Sequence, residues 1–191
     1  MDLIERLRNK EEDALRELMN RFGDMLLRTA ILLVKDPHVA EEVVQDTFIA
    51  AFQKINQLHD KDKLKSWLVK ITMNGCRARM RTWTWKHIFV YKDGDEVGGV
   101  ADDGLRPEEL AEIAFRNSNL HAAIQQLPYK YREVVALYYF HELSVREIGN
   151  MLSAKESTVK TRLARGRHHL KQRLQTGGET IGPTAAAKGY Q

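Results

Sequence analysis

The sequence predicts an all-α protein of two small helical domains joined by a flexible acidic linker, with a helix-turn-helix in the C-terminal domain. Apolar residues recur at steps of three and four over most of the 191-residue chain, which is the spacing of amphipathic helices. Residues 92–106 interrupt this spacing with four glycines and many acidic residues. Near the end of the chain, a short helical pattern, a small turn and a longer basic helical pattern follow one another, in the order of a helix-turn-helix.

The first domain, expected over residues 1–90, contains three amphipathic helical patterns. Asp36 and Pro37 separate the first from the second, because aspartate caps helix N-termini and proline is tolerated in the first turn. After a polar loop at residues 59–63, the third pattern begins at Leu64 and runs into a basic segment. The apolar face of the first of these helices is expected to comprise Leu15, Leu18, Met19, Phe22, Leu26, Ala30 and Leu33.

Residues 91–107 are predicted to be a flexible linker, because their apolar surface is too small to offset the entropy lost on ordering. The second domain is expected over residues 108–175. Within it, Ser144 and Glu147 have the spacing of a capping box at the start of a short helix. Residues 176–191 lack an apolar stripe and are expected to form a disordered tail.

Charge is segregated along the chain, although the net charge is only +4. Residues 77–92 contain five basic residues and no acid, and residues 155–173 contain seven basic residues against one acid. Between them, residues 93–112 contain eight acids and one arginine. Clustered cations attract polyanions, whereas ordinary solvated helix faces mix both signs. The two basic segments therefore favour nucleic acid as a partner.

Composition argues against secretion, membrane insertion and cysteine-based sites. The N-terminus is charged from its second residue, unlike a secretory signal. The most apolar stretch, residues 25–34, is interrupted by Arg28 and is far shorter than the ~20 residues that span a bilayer. Cys76 is the only cysteine, which excludes an intramolecular disulfide and a cysteine-rich zinc site. A cytoplasmic protein without direct membrane insertion is therefore expected.

The basic segment 155–173 is the expected recognition helix of the helix-turn-helix. Val159 and Leu163 would face the core, leaving hydroxyl and cationic side chains on the other faces. Hydroxyls and backbone amides at a helix start bind phosphate, and arginine reads guanine through two hydrogen bonds. A helical hairpin with a charged surface is the alternative that this motif alone leaves open.

Both domains carry motifs of one family. In the second domain these are LPYKYREVV (127–135), LSVREIGNML (143–152) and TVKTRLARGR (158–167), which resemble region 4 of bacterial extracytoplasmic-function (ECF) sigma factors of the sigma-70 family. In the first domain, DPHVAEEVVQDTFIAAFQKI (36–55) resembles the region 2.2 helix, and KSWLVKITMNGCRAR (65–79) resembles regions 2.3 and 2.4. The two motif sets occur in the family's order around a linker.

The chain departs from the family pattern around the turn of the helix-turn-helix. Ser153 and Ala154 stand where the family usually has glycine and a larger aliphatic residue, and Ser157 where glycine is frequent. Gly149 replaces a usual alanine, at a cost of about 1 kcal/mol in helix propensity.

The resemblance implies an alternative sigma factor: a dissociable subunit that binds core RNA polymerase, directs it to promoters and helps melt the DNA, with no active site, cofactor or metal of its own. Residues 1–90 would be region 2 and residues 108–175 region 4. The implied partners are core polymerase, through its β′ clamp helices and β flap, promoter DNA, and an anti-sigma factor. In this family the anti-sigma factor is often membrane-anchored, so it would hold the cytoplasmic protein at the inner face of the membrane.

Site residues are assigned from the same resemblance together with residue chemistry. The minus-35 DNA surface of region 4 is expected to comprise Lys155, Ser157, Thr158, Lys160, Thr161, Arg162, Arg165 and Arg167. The minus-10 surface of region 2, where cations track phosphates and aromatic rings stack on unpaired bases, is expected to comprise Lys63, Lys65, Asn74, Arg77, Arg81 and Trp83. The polymerase-binding set is Glu41, Glu42, Gln45, Asp46 and Phe48. Region 4 would hold the β-flap tip in a groove formed by Leu137, Tyr138 and Tyr139.

Three other function classes are compatible with parts of the sequence. An autonomous helix-turn-helix regulator would bind duplex DNA without polymerase, usually as a dimer. A helical adaptor would use the same apolar stripes for protein contacts only, but the near-absence of acids in the recognition helix argues against it. An enzyme is disfavoured, because the seven histidines show no metal-ligand spacing and no phosphate-binding glycine loop or nucleophile motif is present.

Overall fold

In the computed structural model the described residues are 2–86 and 118–178, and the regular elements within these two ranges are all helical. The α-helices are α1 (Leu3–Arg8), α2 (Glu12–Val34), α3 (Pro37–Lys54), α4 (Leu64–Lys86), α5 (Ser118–Gln125), α6 (Tyr129–Val135), α7 (Val145–Leu152) and α8 (Glu156–Gly178). Shorter turns complete the described part: the 3₁₀ turns Ile55–Gln57 and Lys61–Lys63, and the π-helical turn Ala136–Phe140. The all-α prediction is confirmed, and the predicted linker at 91–107 lies outside the described residues.

The first helical unit is built from α2, α3 and α4, which pack side by side, while α1 covers α2 and the turn at Ile55–Gln57. Leu26, Val43 and Leu68 are among its buried side chains. Met19 was predicted to belong to this core, but its side chain is 44% exposed. It follows the buried Leu18 directly, and neighbouring residues on a helix point about 100° apart, so Met19 lies at the edge of the buried face of α2.

The N-terminus of α3 is capped as its sequence predicts. The Asp36 carboxylate accepts hydrogen bonds from the backbone N–H groups of His38 at 2.9 Å and Val39 at 3.2 Å. Pro37 occupies the first helical position, where its missing N–H costs no hydrogen bond. The cap fixes where α3 begins, whereas α2 ends at Lys35, which adopts the left-handed conformation with φ 66°.

The second helical unit contains α5 to α8, with α8 packed on the other three helices. Its helix-turn-helix is α7, the turn at 153–155, and α8. The predicted capping box is present: the Glu147 carboxylate accepts from the Ser144 N–H at 2.8 Å, and the Ser144 hydroxyl oxygen accepts from the Glu147 N–H at 3.3 Å.

The turn of the helix-turn-helix explains why glycine stands at position 149. A Cβ on Gly149 would lie 2.9 Å from the Ala154 carbonyl oxygen, closer than such atoms approach one another. Ser153 adopts the left-handed conformation, with φ 53°, at the position where the family usually has glycine. Glycine lowers the helix propensity at position 149, but the tight turn leaves no room there for the methyl group of alanine.

Two predictions about the second unit need adjustment. Leu137 was expected to line a groove for the β-flap tip, but it lies in the core, fully buried within the π-helical turn. The helix α8 continues to Gly178, past the predicted domain end at residue 175. Residues 179–191, the rest of the predicted tail, lie outside the described residues.

The two helical units contact each other directly. The C-terminal half of α2 lies against α5 and α6, and Arg132 of α6 reaches the carbonyl oxygen of Leu33 in α2. None of the described helices is long and apolar enough to cross a membrane.

Candidate nucleic-acid interface

The exposed face of α8 carries a cluster of hydroxyl and cationic side chains. Val159, Leu163 and Leu170 are buried against the rest of the unit, and this fixes the helix rotation. Of the predicted minus-35 residues, the exposed ones are Lys155, Ser157, Lys160 and Thr161, and the half-buried ones are Thr158, Arg162, Arg165 and Arg167. All eight residues lie on one helix and its preceding turn; the four exposed side chains are accessible to phosphates, and the four half-buried ones only in part.

Arg162, one of the half-buried members of this set, forms an ion pair with an acidic side chain. Its guanidinium Nη1 lies 3.3 Å from Glu133 Oε1 on α6. The Glu133 side chain is 6% exposed, so this ion pair is shielded from water on one side. Arg162 is therefore held in a defined position rather than extended freely into solvent.

The minus-10 candidates lie at the start of α4 and along its length. Lys63, Lys65, Asn74 and Arg81 are exposed, while Arg77 is half-buried. Arg77 Nη2 donates to Glu133 Oε2 at 3.0 Å. Trp83 lies in α4, but its side chain lies outside the described residues, so its predicted stacking role stays a prediction.

The polymerase-binding candidates share one face of α3, with one exception. Glu41, Glu42, Gln45 and Asp46 are exposed. Phe48 is 4% exposed and belongs to the core, because it lies on the side of α3 that packs on the other helices. We therefore remove Phe48 from the contact set.

The acidic face of α3 is fixed by an arginine from the neighbouring helix. Arg79 of α4 forms ion pairs with Glu42 at 3.1 Å and with Asp46 at 3.0 Å. Such exposed pairs contribute little to stability, but they orient the two carboxylates. One arginine against several acids leaves the face acidic.

Ile49 belongs to this face and was missed in the sequence. Its side chain is 56% exposed, although a large aliphatic residue is more commonly buried. It follows Gln45 by four residues and Asp46 by three, so the three side chains are neighbours on the helix surface. That spacing was visible in the sequence, but its exposure was not.

Three further buried polar residues, Arg132, Glu133 and His141, organise the contact between the two units. Arg132 Nη1 donates to the carbonyl oxygens of Gln125 at 2.7 Å and Leu127 at 3.2 Å, and its Nη2 donates to that of Leu33 at 2.7 Å. Burial lowers the pKa of Arg132. In the sequence, Arg132 is only one residue of the LPYKYREVV motif. No pattern in the sequence indicates that Glu133 or His141 would contact the first helical unit.

Cys76 lies on α4 close to Arg132 and Tyr129 of the second unit. Burial raises the pKa of its thiol to about 12, so the thiol is protonated at neutral pH and is a poor nucleophile. Among residues 2–86 and 118–178, no group of three or more His, Cys, Asp or Glu residues is placed to hold a metal ion.

Comparison with known families and proteins agrees with this arrangement. Residues 18–86 match the family model described as sigma-70 region 2, and residues 118–170 match the one described as sigma-70, region 4. The chain is 29% identical to the ECF RNA polymerase sigma factor SigW of Bacillus subtilis strain 168, over 90% of this chain and 95% of that protein. It is 28% identical to SigM of the same strain, over 84% of this chain and 95% of the relative.

Two solved structures share the fold. CnrH in complex with the cytosolic domain of CnrY aligns with a TM-score of 0.61 at 23% identity, covering 91% of this chain and 96% of that one. The sigma factor RpoE in complex with the anti-sigma factor NepR, from Bartonella quintana, aligns with a TM-score of 0.60 at 22% identity, covering 84% of this chain and 98% of that one.

Proposed function

The chain belongs to the sigma-70 family, in its ECF group, and we propose that it acts as an alternative sigma factor whose two units bind the minus-10 and minus-35 elements of a promoter. The observation that supports this most strongly is the pair of matches, in order, to regions 2 and 4 on two separate helical units. A sigma factor is a regulatory initiation factor, and the described residues suit binding rather than covalent chemistry.

We assign duplex recognition to α8. Its first turns expose Ser157, Lys160 and Thr161, and Lys155 is exposed directly before them. This is the part of a recognition helix that enters the major groove. The tight turn at Gly149 and the packing of α7 on α8 hold α8 at a fixed angle to α7. In this arrangement, the cations neutralise phosphates while hydroxyls and Arg162 approach base edges.

We assign the single-stranded minus-10 element to α4. Asn74 and Arg81 are exposed on this helix, and Lys63 and Lys65 are exposed at its start. Cations along a groove that tracks the backbone are what single-stranded nucleic acid requires. The loop before α4 and the basic segment near its end thus lie along one helix, with Lys65 and Arg81 about 24 Å apart at 1.5 Å per residue, so a captured strand would run along α4 to reach both.

The run-off transcription reaction tests the proposal directly. Core RNA polymerase alone and core polymerase with this protein would be compared on a library of promoter fragments. We expect specific start sites only when the protein is added. A protein that binds upstream DNA tightly but neither associates with core polymerase nor initiates would instead be an autonomous helix-turn-helix regulator.

Replacing Lys160 with alanine is expected to weaken binding to upstream-element DNA about threefold to tenfold. Lys160 is exposed on α8, and each lost phosphate contact makes the slope of log affinity against log salt about 0.9 shallower. Fluorescence anisotropy over a salt series measures both effects. Lys54→Ala removes the same charge from an exposed position on α3 and should leave the slope unchanged; equal slopes for wild type and Lys160→Ala would remove Lys160 from the DNA surface.

Replacing Ile49 with arginine is expected to reduce holoenzyme formation at least tenfold without unfolding the protein. Ile49 is exposed next to Gln45 and Asp46 on the acidic α3 face, so this face fits a basic surface that also offers an apolar contact. The substitution removes the apolar contact and adds a charge of the same sign as that partner. Competition for core polymerase, scored by run-off product, measures the effect.

Met19→Arg is the matched control for this substitution, because Met19 is also a partly exposed aliphatic residue but lies on α2. It should leave polymerase association unchanged. If both variants bind core polymerase as tightly as the wild type, the α3 face is not the docking surface.

We also propose that the protein is regulated in the cytoplasm by an anti-sigma factor. A structural relative was solved with one, NepR, and the likeness in fold makes the same class of partner the first to test. Co-purification of the chain with the product of a neighbouring gene, followed by loss of run-off transcription on adding that product, is the expected result.

A further inference from the structure

The contact between the two helical units involves residues from both predicted DNA surfaces. Glu133 of α6 accepts from Arg77 Nη2 of α4 at 3.0 Å and from Arg162 Nη1 of α8 at 3.3 Å. Arg77 belongs to the minus-10 set and Arg162 to the minus-35 set. One carboxylate therefore holds an arginine from each of the two surfaces.

The burial of Glu133 makes this a specific arrangement. Its side chain is 6% exposed, while those of Arg77 and Arg162 are 32% and 31% exposed. Removing one partner from a buried ion pair is costly, because the remaining charge stays away from water. Glu133 is therefore best satisfied when both arginines are in place, which requires the two units to be in contact.

Two further polar contacts cross the same boundary. The Arg132 guanidinium of α6 donates to the Leu33 carbonyl oxygen near the end of α2 at 2.7 Å. The Thr29 hydroxyl of α2 lies 2.9 Å from His141 Nε2, which follows the π-helical turn of the second unit. Both contacts are buried, so the boundary is a packed interface with directional bonds.

The arrangement is incompatible with simultaneous use of both DNA surfaces. Elements centred near minus-35 and minus-10 are separated by about 25 base pairs, or about 85 Å of duplex at 3.4 Å per base pair. Two guanidinium groups that hold the same carboxylate lie only a few ångströms apart. The units must separate before α8 and α4 can occupy both elements.

We propose that this structure is an autoinhibited, closed state of the free protein, in which Glu133 acts as a latch that withholds Arg77 from DNA. The inference rests on the proposed function for the meaning of the two DNA surfaces. Binding to core polymerase and promoter supplies the free energy that separates the units, breaks the Arg77–Glu133 pair and leaves Glu133 to position Arg162 alone.

Energy transfer between two dyes tests the latch on the full-length free protein. The dyes are attached at Asn20→Cys on α2 and Asn150→Cys on α7, both exposed positions, in a Cys76→Ala background. We expect high transfer in the free protein and low transfer in the holoenzyme on promoter DNA. In Glu133→Gln, which keeps the side-chain shape but removes the charge, we expect the low-transfer population of the free protein to rise about tenfold.

A second variant and a control distinguish latch opening from unfolding. Thr29→Val removes the hydroxyl that contacts His141 but keeps the side-chain shape, and it should raise the open population by a smaller factor. Glu142→Gln makes the same charge change at an exposed position of the second unit and should leave the transfer unchanged. Circular dichroism of each variant identifies any sample that has unfolded.

The outcomes separate this inference from the proposed function. Low transfer in the free wild-type protein, or unchanged transfer in both Glu133→Gln and Thr29→Val, overturns the latch even if the protein initiates transcription. If energy transfer changes in these variants but the protein never initiates transcription with core polymerase, the proposed function is overturned. The contact between the two units would then serve a role other than controlling promoter binding.

Discussion

Replacement of Arg132 by methionine is expected to lower the free energy of unfolding by about 3–5 kcal/mol, because each buried carbonyl oxygen left without a donor costs about 1–3 kcal/mol. Arg132 is fully buried, and its guanidinium donates to the carbonyl oxygens of Leu33, Gln125 and Leu127. Methionine fills a similar length but supplies no donor. Urea unfolding followed by circular dichroism measures the loss, with the slope of the transition reporting whether the units still unfold together.

The matched control is Arg16→Met on α2. Arg16 is exposed and has a loose ion pair with Asp13 at 3.7 Å, so its loss should change stability by less than about 0.5 kcal/mol. A change of under about 1 kcal/mol for Arg132→Met would mean that water or backbone movement satisfies the three carbonyl groups equally well.

Acidification from pH 7 to pH 4 is expected to remove about 3 kcal/mol of stability through His141 alone, since each pKa unit corresponds to about 1.4 kcal/mol. Burial lowers the pKa of His141 from 6.5 to about 4. The unfolded chain therefore binds a proton at a higher pH than the folded protein. The stability is complete above pH 6.5, falls as the pH drops from 6.5 to about 4, and falls no further through this residue below that.

The surroundings of His141 strengthen the expectation. It lines a cleft of about 570 Å³ between α2 and the second unit, together with the charged or titratable residues Arg21, Asp24, Arg28 and His121. Lys65 also lowers the pKa of His141 by repelling its protonated form. Most of these charges are cationic, so protonation of His141 adds a positive charge to a positive environment.

His141→Gln isolates this contribution from the titration of carboxylates in the same range. Glutamine can keep a polar atom near the Thr29 hydroxyl but does not titrate. The difference in unfolding free energy between pH 7 and pH 4 should shrink by about 3 kcal/mol in this variant, within the approximation of two-state unfolding. His121→Gln changes an exposed histidine of the same cleft and should keep the wild-type pH dependence; an equal pH dependence for all three proteins would mean that His141 is protonated without penalty.

Local sequence patterns predicted the starts of helices well where one or two capping side chains determine where the helix begins. Asp36 and Pro37 set the start of α3, and Ser144 with Glu147 set the start of α7, because capping needs only groups within one helical turn. Val159 and Leu163 likewise set the rotation of α8. Those same signals allowed the exposed set Lys155, Ser157, Lys160 and Thr161 to be predicted.

Helical periodicity did not predict the burial of a side chain correctly where that burial depends on which other helix packs against it. Met19 and Ile49 are exposed while Phe48 is buried, and periodicity alone does not distinguish a residue at the edge of an apolar stripe from one at its centre. From the sequence, Gly149 only lowers the helix propensity of α7. The structure adds that the Ala154 carbonyl oxygen leaves no room for a side chain at this position.

The sequence by itself determined the helical class, the helix starts, the segregation of charge and the family of this protein, because each depends on residues close together in the chain or on motifs held within one helix. Only the tertiary structure decided that Glu133 joins Arg77 to Arg162 and that Arg132 and His141 reach α2. These contacts join residues 29 to 112 positions apart, and no local pattern specifies which distant carbonyl or carboxylate a buried cation will meet.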